Sequence, residues 1–321
     1  MLKKVLLTGC SGFVGRSLLS RLCRDGRDVV ACSRAEILKA PSEARYMQVA
    51  GLDSSTDWAP ALDDGEVVIH SAARVHVMHE QTSDPLAEFR KVNVEGTLNL
   101  ARQAAAAGVR RFIFISSIKV NGEGTAVGAP YIADAQAAPA DPYGISKMEA
   151  EQGLRGLAAS TGMEVVIIRP VLVYAPGVKA NFLNMMRWLH KGVPLPFGAI
   201  HNRRSLVALD NLVDLIVTCI DHPAAANQTF LVSDGEDLST SELLRRMGTA
   251  LGKPARLLPV PSWMLEAGAT MLGKKALSQR LCGSLQVDIS KTRELLNWTP
   301  PVCVDEALRK TAKHFLEQQS K

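Results

Sequence analysis

The sequence is poor in the residues that stapled folds and metal centres require. Its six cysteines, Cys10, Cys23, Cys32, Cys219, Cys282 and Cys303, are scattered and form no Cys-x-x-Cys pair. That argues against a zinc site or a disulfide framework and fits a reducing, cytoplasmic setting. The pair His76 and His79 lacks a third ligand in its neighbourhood, so no metal is expected. Long apolar runs are also missing: nothing approaches the roughly 18 residues of a membrane span, so no membrane insertion is expected. The opening, Met1 to Cys10, has the outline of an export leader, but its apolar run at 5–7 is far shorter than the ~7 or more residues such a leader needs. Aromatic residues are only 5% of the chain, and the net charge of +5 is spread without long basic runs. A nucleic-acid partner is therefore disfavoured, whereas an anionic small molecule is compatible. No repeat or low-complexity segment is evident.

What is present is a core and a rhythm. With 321 residues, 47% of them hydrophobic, the chain can build one large domain or two modest ones. Short apolar runs at 3–8, 29–32, 67–70, 111–116 and 164–169 alternate with helical patterns at 16–24, 84–107 and 142–161. This alternation predicts an α/β fold, a Rossmann-type doubly wound parallel sheet. Beyond Val171 the pattern breaks into shorter helices and loops marked by prolines. A smaller C-terminal α/β part for substrate is expected there. The expected division is a dinucleotide-binding part at 1–170, with a return segment near 203–232, and a substrate part at 171–202 and 233–321.

Between the first strand and the first helix runs Gly9-Cys-Ser11-Gly12-Phe13-Val14-Gly15. Gly9 permits a tight turn, Gly12 a close approach of backbone to a pyrophosphate, and Gly15 close packing of helix on sheet. At the end of the second strand stands Ser33-Arg34 in place of an acidic residue. A basic residue there suits a 2'-phosphate, so NADP(H) is the favoured dinucleotide and NAD(H) the alternative, with Glu36 able to act as a ribose ligand. Further on, Asp141-Pro-Tyr143-Gly-Ile-Ser-Lys147 places a phenol and an ammonium four residues apart on one helix face, just after an N-cap. A cation beside the phenol favours the phenolate, which makes Tyr143 a candidate acid or base near neutral pH.

In this order the motifs resemble the extended short-chain dehydrogenase/reductase family, whose members modify nucleotide sugars. The glycine loop resembles its cofactor fingerprint, and His70-Ser-Ala72-Ala73 its fourth-strand motif. Asn93 is similar to its helix asparagine, and Ser116-Ser117 with Tyr143 and Lys147 to its catalytic set. Arg169-Pro170-Val-Leu-Val-Tyr174, Asn181-Phe, Arg204 to Asp210 and Leu296 to Pro301 extend the likeness over nearly the whole chain. The resemblance implies that Lys147 holds the nicotinamide ribose and lowers the pKa of Tyr143. Tyr143 would exchange a proton with the sugar oxygen, and Ser117 would hydrogen-bond that oxygen. It also implies cofactor contacts from Ala72, Ala73, Asn93, Ser116, Arg169 and Pro170. Substrate contacts are expected from Ser117, Lys119, Asn181, Arg204 and Arg280, with Lys179 a further candidate. A homodimer acting on a UDP-sugar is the expected assembly.

Family members that dehydrate a sugar carry an acidic pair directly after the catalytic serine or threonine. Here those positions are Ile118 and Lys119, neither a carboxylate, so dehydration is disfavoured on chemical grounds. Reduction of a 4-keto sugar and 4-epimerisation remain. Arg34 and the runs around Ser117, Tyr143 and Arg204 most resemble bacterial enzymes of O-antigen precursor synthesis. The expectation is a reductase of UDP-4-keto-6-deoxy-N-acetylhexosamine, with 4-epimerisation and a non-catalytic dinucleotide-binding regulator as the alternatives.

Overall fold

The computed structural model describes residues 4–34, 42–63, 65–75, 84–271, 273, 279 and 281–320. Alternation of side chains along each strand dictates the layering. β1 (Val5–Thr8) pairs in parallel with β2 (Val29–Ser33) on one side and β4 (Val67–His70) on the other. Val5, Leu7, Val29, Ala31, Val67 and Ile69 project to one face, where they bury against Leu18 and Leu22 of α1 (Phe13–Arg24) and Leu212 and Ile216 of α7 (Leu209–Asp221). Leu6, Val30 and Val68 project to the other face, against Leu100 and Ala104 of α4 (Thr97–Ala106) and Ala150 and Leu154 of α5 (Pro142–Thr161). Each fully buried Val or Leu contributes about 1.5–3 kcal/mol through removal of apolar surface from water. Strands buried on both faces carry continuous apolar runs, which is why they were readable without any alternation.

The sheet has seven strands in the order β3-β2-β1-β4-β5-β6-β9, every neighbouring pair parallel. Two of these strands lie outside the five apolar runs. β3 (Ala44–Gln48) is an edge strand with exposed polar positions, and β9 (Thr229–Val232) adds beside β6 (Glu164–Pro170) from the return segment. Part of that return segment goes elsewhere. β8 (Arg204–Ala208) leaves the main sheet for a three-stranded one with β7 (Leu172–Tyr174) and β10 (Asp237–Leu238). A third apolar cluster joins Phe182, Met185, Met186 and Leu189 of α6 (Ala180–His190), Leu244 and Met247 of α8 (Thr240–Ala250), and Leu308 and Phe315 of the helix Val304–Gln319. The helix Ser262–Met271 has no buried residue.

The helical run expected over 84–107 is divided into three. After α3 (Pro85–Phe89), capped by Asp84, residues Arg90–Gly96 widen into a π-helical segment before α4 begins. Among the described residues no helix is long and apolar enough to cross a membrane.

One buried cation ties the start of β5 (Arg111–Ile115) to the end of α7. Arg111, 1% exposed, donates to the carbonyls of Cys219, Ile220 and His222 and to Glu164 Oε2 at 2.7 Å. A guanidinium at a helix C-terminus answers both the unpaired carbonyls and the helix dipole. Replacing it with methionine takes this donor from the Cys219 and His222 carbonyls and leaves Glu164 and the Ile220 carbonyl to Arg110 alone. Arg111→Met is expected to cost about 3 kcal/mol of stability, read from the urea midpoint; an unchanged midpoint would remove this clamp from the fold's supports.

Candidate active site

β1 and β4 run side by side while their helices leave to opposite faces, so a cleft opens at their carboxyl ends, where this fold class binds ligands. The glycine loop forms its floor. Gly9 has φ +71°, and a Cβ there would stand 2.6 Å from the Ala72 nitrogen; a Cβ on Gly15 would overlap the Gly9 carbonyl. The Gly12 nitrogen donates to the Gly9 oxygen at 2.9 Å, which turns the chain into α1. Gly12 is the N-cap and brings no side chain, so the first-turn N–H groups of Phe13, Val14 and Gly15 present the positive end of a helix. A loop whose Cβ positions are already filled by backbone, ending on an uncapped helix, fits a dinucleotide pyrophosphate.

Ser33 closes one end of this cleft, its hydroxyl 3.4 Å from that of Ser11. Arg34 follows, exposed, with its carbonyl accepting from Gln48 Nε2 at 3.1 Å. Glu36, His76, His79 and Arg280 lie outside the described residues. On the other side, His70 is fully buried between Thr8 Oγ1 at 2.7 Å and Thr97 Oγ1 at 3.0 Å, and burial with the nearby Lys147 charge pushes it down to about 3. It is a neutral linker of β1, β4 and α4. Ala72 and Ala73 follow, partly exposed, and the Ala72 nitrogen reaches Thr8 Oγ1 at 3.4 Å. Asn93 sits in the π segment, buried, where its side chain accepts from the Arg74 nitrogen at 2.8 Å and donates to Ser146 Oγ at 3.0 Å. Ser146 in turn donates to the Tyr143 carbonyl, so Asn93 fastens the cleft wall to the opening turn of α5.

That turn carries the chemistry. Asp141 caps α5 by accepting from the Gly144 nitrogen at 2.7 Å. Tyr143 is half-buried and meets Phe89 edge-on with ring centroids 5.9 Å apart. Lys147 is 2% exposed; its Nζ donates to the Ile115 carbonyl at 2.8 Å and lies 4.3 Å from the centroid of Phe114. His70 stacks on the same Phe114 ring, so Lys147, Phe114 and His70 form one column. Ser117 ends the strand; its hydroxyl accepts from the Lys119 nitrogen at 3.2 Å. Ser117, Tyr143 and Lys147 thus come from the end of β5 and the facing turn of α5.

Several of the expected residues are engaged within the protein itself. Lys147 does not lower the phenol in this structure: burial, with the Asp141 charge second, pushes Tyr143 up to about 12. Burial likewise pushes Lys147 down to about 7, against the pull of Glu151. Desolvation therefore outweighs the attraction between the two groups. Lys119, expected toward substrate, forms ion pairs with Asp141 and Glu123 and so braces the cap of α5. Arg169, expected at the cofactor, turns its guanidinium into a bidentate pair with Glu151, at 2.9 and 2.6 Å, and reaches Asn121 Oδ1 at 3.0 Å. Asn121, of unexplained role in the sequence, is thereby part of the clamp. Ser116 also points inward, donating to Glu151 Oε1 at 2.6 Å.

The remaining candidates lie further along the chain. Pro170 ends β6 opposite Val232, Asn181 is exposed in the first turn of α6 beside exposed Lys179, and Arg204 opens β8 with Nη1 donating to the Gly283 carbonyl at 3.0 Å. No group of three or more His, Cys, Asp or Glu side chains that could hold a metal occurs among the described residues.

Residues 5–233 match the family described as NAD dependent epimerase/dehydratase. The chain belongs to that family. Over its full length it is 51% identical to a UDP-glucose 4-epimerase of Vibrio cholerae, covering 98% of that relative. Solved structures share the fold. A UDP-glucose 4-epimerase of Thermotoga maritima with UDP-glucose aligns with a TM-score of 0.77 at 22% identity, over 98% of this chain and 99% of that one. A UDP-glucuronic acid 4-epimerase of Bacillus cereus in complex with NAD aligns at 0.77 and 20% identity, over 99% and 100%. Membership of this extended short-chain dehydrogenase/reductase group makes the chain an enzyme of the NAD-dependent oxidoreductase type.

Two measurements test the site. Tyr143→Phe keeps the Phe89 contact and the helix, so dinucleotide affinity is expected to stay within a few-fold while turnover falls by roughly 10²–10⁴; near-normal turnover would remove the phenol from the chemistry. Lys147 titrates near 10.5 when unfolded and about 7 when folded, so between those values the unfolded chain binds the extra proton and stability rises with pH. Wild type should therefore gain stability on Lys147→Met from pH 7 to pH 10.5, by a few kcal/mol in urea unfolding. Parallel pH curves for the two proteins would show that Lys147 is not the titrating group.

Proposed function

We propose that the protein is a UDP-hexose 4-epimerase that retains NAD. The full-length likeness to the Vibrio cholerae enzyme carries this reading, and the site's own chemistry supports it. The proposal replaces the 4-keto reductase expected from the sequence by the alternative named beside it. Both reactions need the same phenol and serine; they differ in whether the hydride comes back to the sugar it left.

When bound, the nicotinamide supplies a hydride acceptor and later a donor at the sugar C4. The Tyr143 hydroxyl exchanges the proton of the C4 oxygen, and Ser117 donates to that oxygen as it becomes a carbonyl. Returned to the opposite face of C4, the hydride restores the alcohol with inverted configuration, so no net oxidation results. Lys147, one turn beyond Tyr143 on α5, would hold the nicotinamide ribose. The dehydration route stays closed, because Ile118 is buried and Lys119 is held by Asp141 and Glu123. Burial raises the Tyr143 phenol, and an oxidised nicotinamide, once bound, would add positive charge that favours its proton release.

For the dinucleotide we propose NAD in place of the favoured NADP(H). The supports are the family and the NAD of the Bacillus cereus neighbour. Arg34 remains the group that would meet a 2'-phosphate, and parallel titrations with the two dinucleotides measure its weight. The purified enzyme should interconvert UDP-glucose and UDP-galactose with no lasting change in absorbance at 340 nm. Stoichiometric NADPH oxidation by UDP-4-keto-6-deoxy-N-acetylhexosamine, without epimerisation, would establish the reductase instead.

A further inference from the structure

Beneath the proposed catalytic residues lies a buried charge cluster that their roles do not account for. Glu151 stands one turn beyond Lys147 on α5 and is 1% exposed. Its Oε1 accepts from Ser116 Oγ at 2.6 Å and Arg169 Nε at 2.9 Å, and its Oε2 from Arg169 Nη2 at 2.6 Å and Arg155 Nη2 at 3.3 Å. One carboxylate thus receives donors from the end of β5, from β6 and from its own helix. Ser116 is the residue before Ser117, and its nitrogen is tied to the Ile168 carbonyl at 2.8 Å. Arg169 continues the linkage to Asn121 and the Ala133 carbonyl, beyond the turn that Ser117 caps.

We propose that Glu151 is a positioning residue: through Ser116 and Arg169 it fixes the ends of β5 and β6 beneath Ser117, and it places a carboxylate one turn of α5 beyond Lys147. This rests on the reading of Ser117, Tyr143 and Lys147 as the reacting set. The charges that face Lys147 are few. On α5 they are Tyr143, Glu151 and the partly exposed Arg155; on β6 there is Arg169, and on β4 the neutral His70; Asp141 and its partner Lys119 lie at the start of the helix. Two buried side chains, Arg169 bonded to Glu151 and Lys147 one turn before it on α5, therefore lie beside one buried carboxylate, to which Arg155 also donates. Without Glu151 the two cations face each other uncompensated, and Lys147 releases its proton more readily.

Glu151→Gln keeps the shape and removes the charge, whereas Glu151→Asp keeps the charge and shortens the reach to Ser116. With 13C-labelled lysine, the NMR titration midpoint of Lys147, assigned with Lys147→Arg, should fall by about one pH unit in Glu151→Gln and stay near wild type in Glu151→Asp. In the epimerase assay kcat should drop at least about tenfold in Glu151→Gln, with KM within about twofold and the alkaline limb displaced to lower pH. An unmoved midpoint together with wild-type kcat in Glu151→Gln overturns the proposal. Should that variant not fold, Ser116→Ala is read: a several-fold loss of kcat at unchanged KM upholds the positioning role, and wild-type kcat overturns it. If the midpoint falls in Glu151→Gln while wild type epimerises nothing, the assignment of Glu151 holds and only the reaction is wrong.

Discussion

Burial of Lys147 is the constraint on which the rest of the site depends. An ammonium excluded from water is tolerated only where acceptors and an opposite charge are built around it. Here the acceptor is the Ile115 carbonyl, the flat surface is Phe114, and the carboxylate is Glu151, itself held by Ser116 and Arg169. Each of these groups must sit at the end of a strand or on the facing turn of α5. The parallel sheet supplies that geometry, since every strand end in it points the same way. The arrangement costs stability and yields a rigid cation below the phenol, a balance common where function requires a strained or desolvated group.

The glycine loop, the Tyr143 and Lys147 spacing and the five apolar runs were legible because each depends on residues near one another in sequence. A glycine that must admit a carbonyl, or a strand buried on both faces, leaves a local signature. β3 left none, since an edge strand with polar positions lacks the continuous apolar run. The π segment was also silent. Nothing in Arg90–Gly96 announces a widened turn, within which Asn93 is fastened between Arg74 and Ser146.

The charged residues of the site were the hardest to read. Lys147, Glu151 and Arg155, four residues apart, have the spacing of a solvent-exposed ladder of ion pairs on a helix. In the fold Lys147 and Glu151 are buried, and they take partners from β6 and the end of β5, Arg155 of their own helix aside. Arg169 and Lys119 were assigned to ligands because of where they fall relative to motifs, whereas in the structure each answers a carboxylate of α5. Spacing locates a side chain on a helix; it does not tell which neighbour claims its charge.

The place of β9 has a consequence for how the molecule is made. β6 is complete at Pro170, yet its outer edge meets Thr229–Val232 only after all the residues from Val171 to Gln228 have been added. Until then a strand rich in Val and Ile offers unpaired backbone, the kind of edge that recruits other chains. The segment that intervenes contains α6 and β8, and the helices that complete their core, α8 and Val304–Gln319, are made later still. During synthesis, then, the nascent chain is most exposed to mispairing midway along its length, and release from that hazard comes with a four-residue strand.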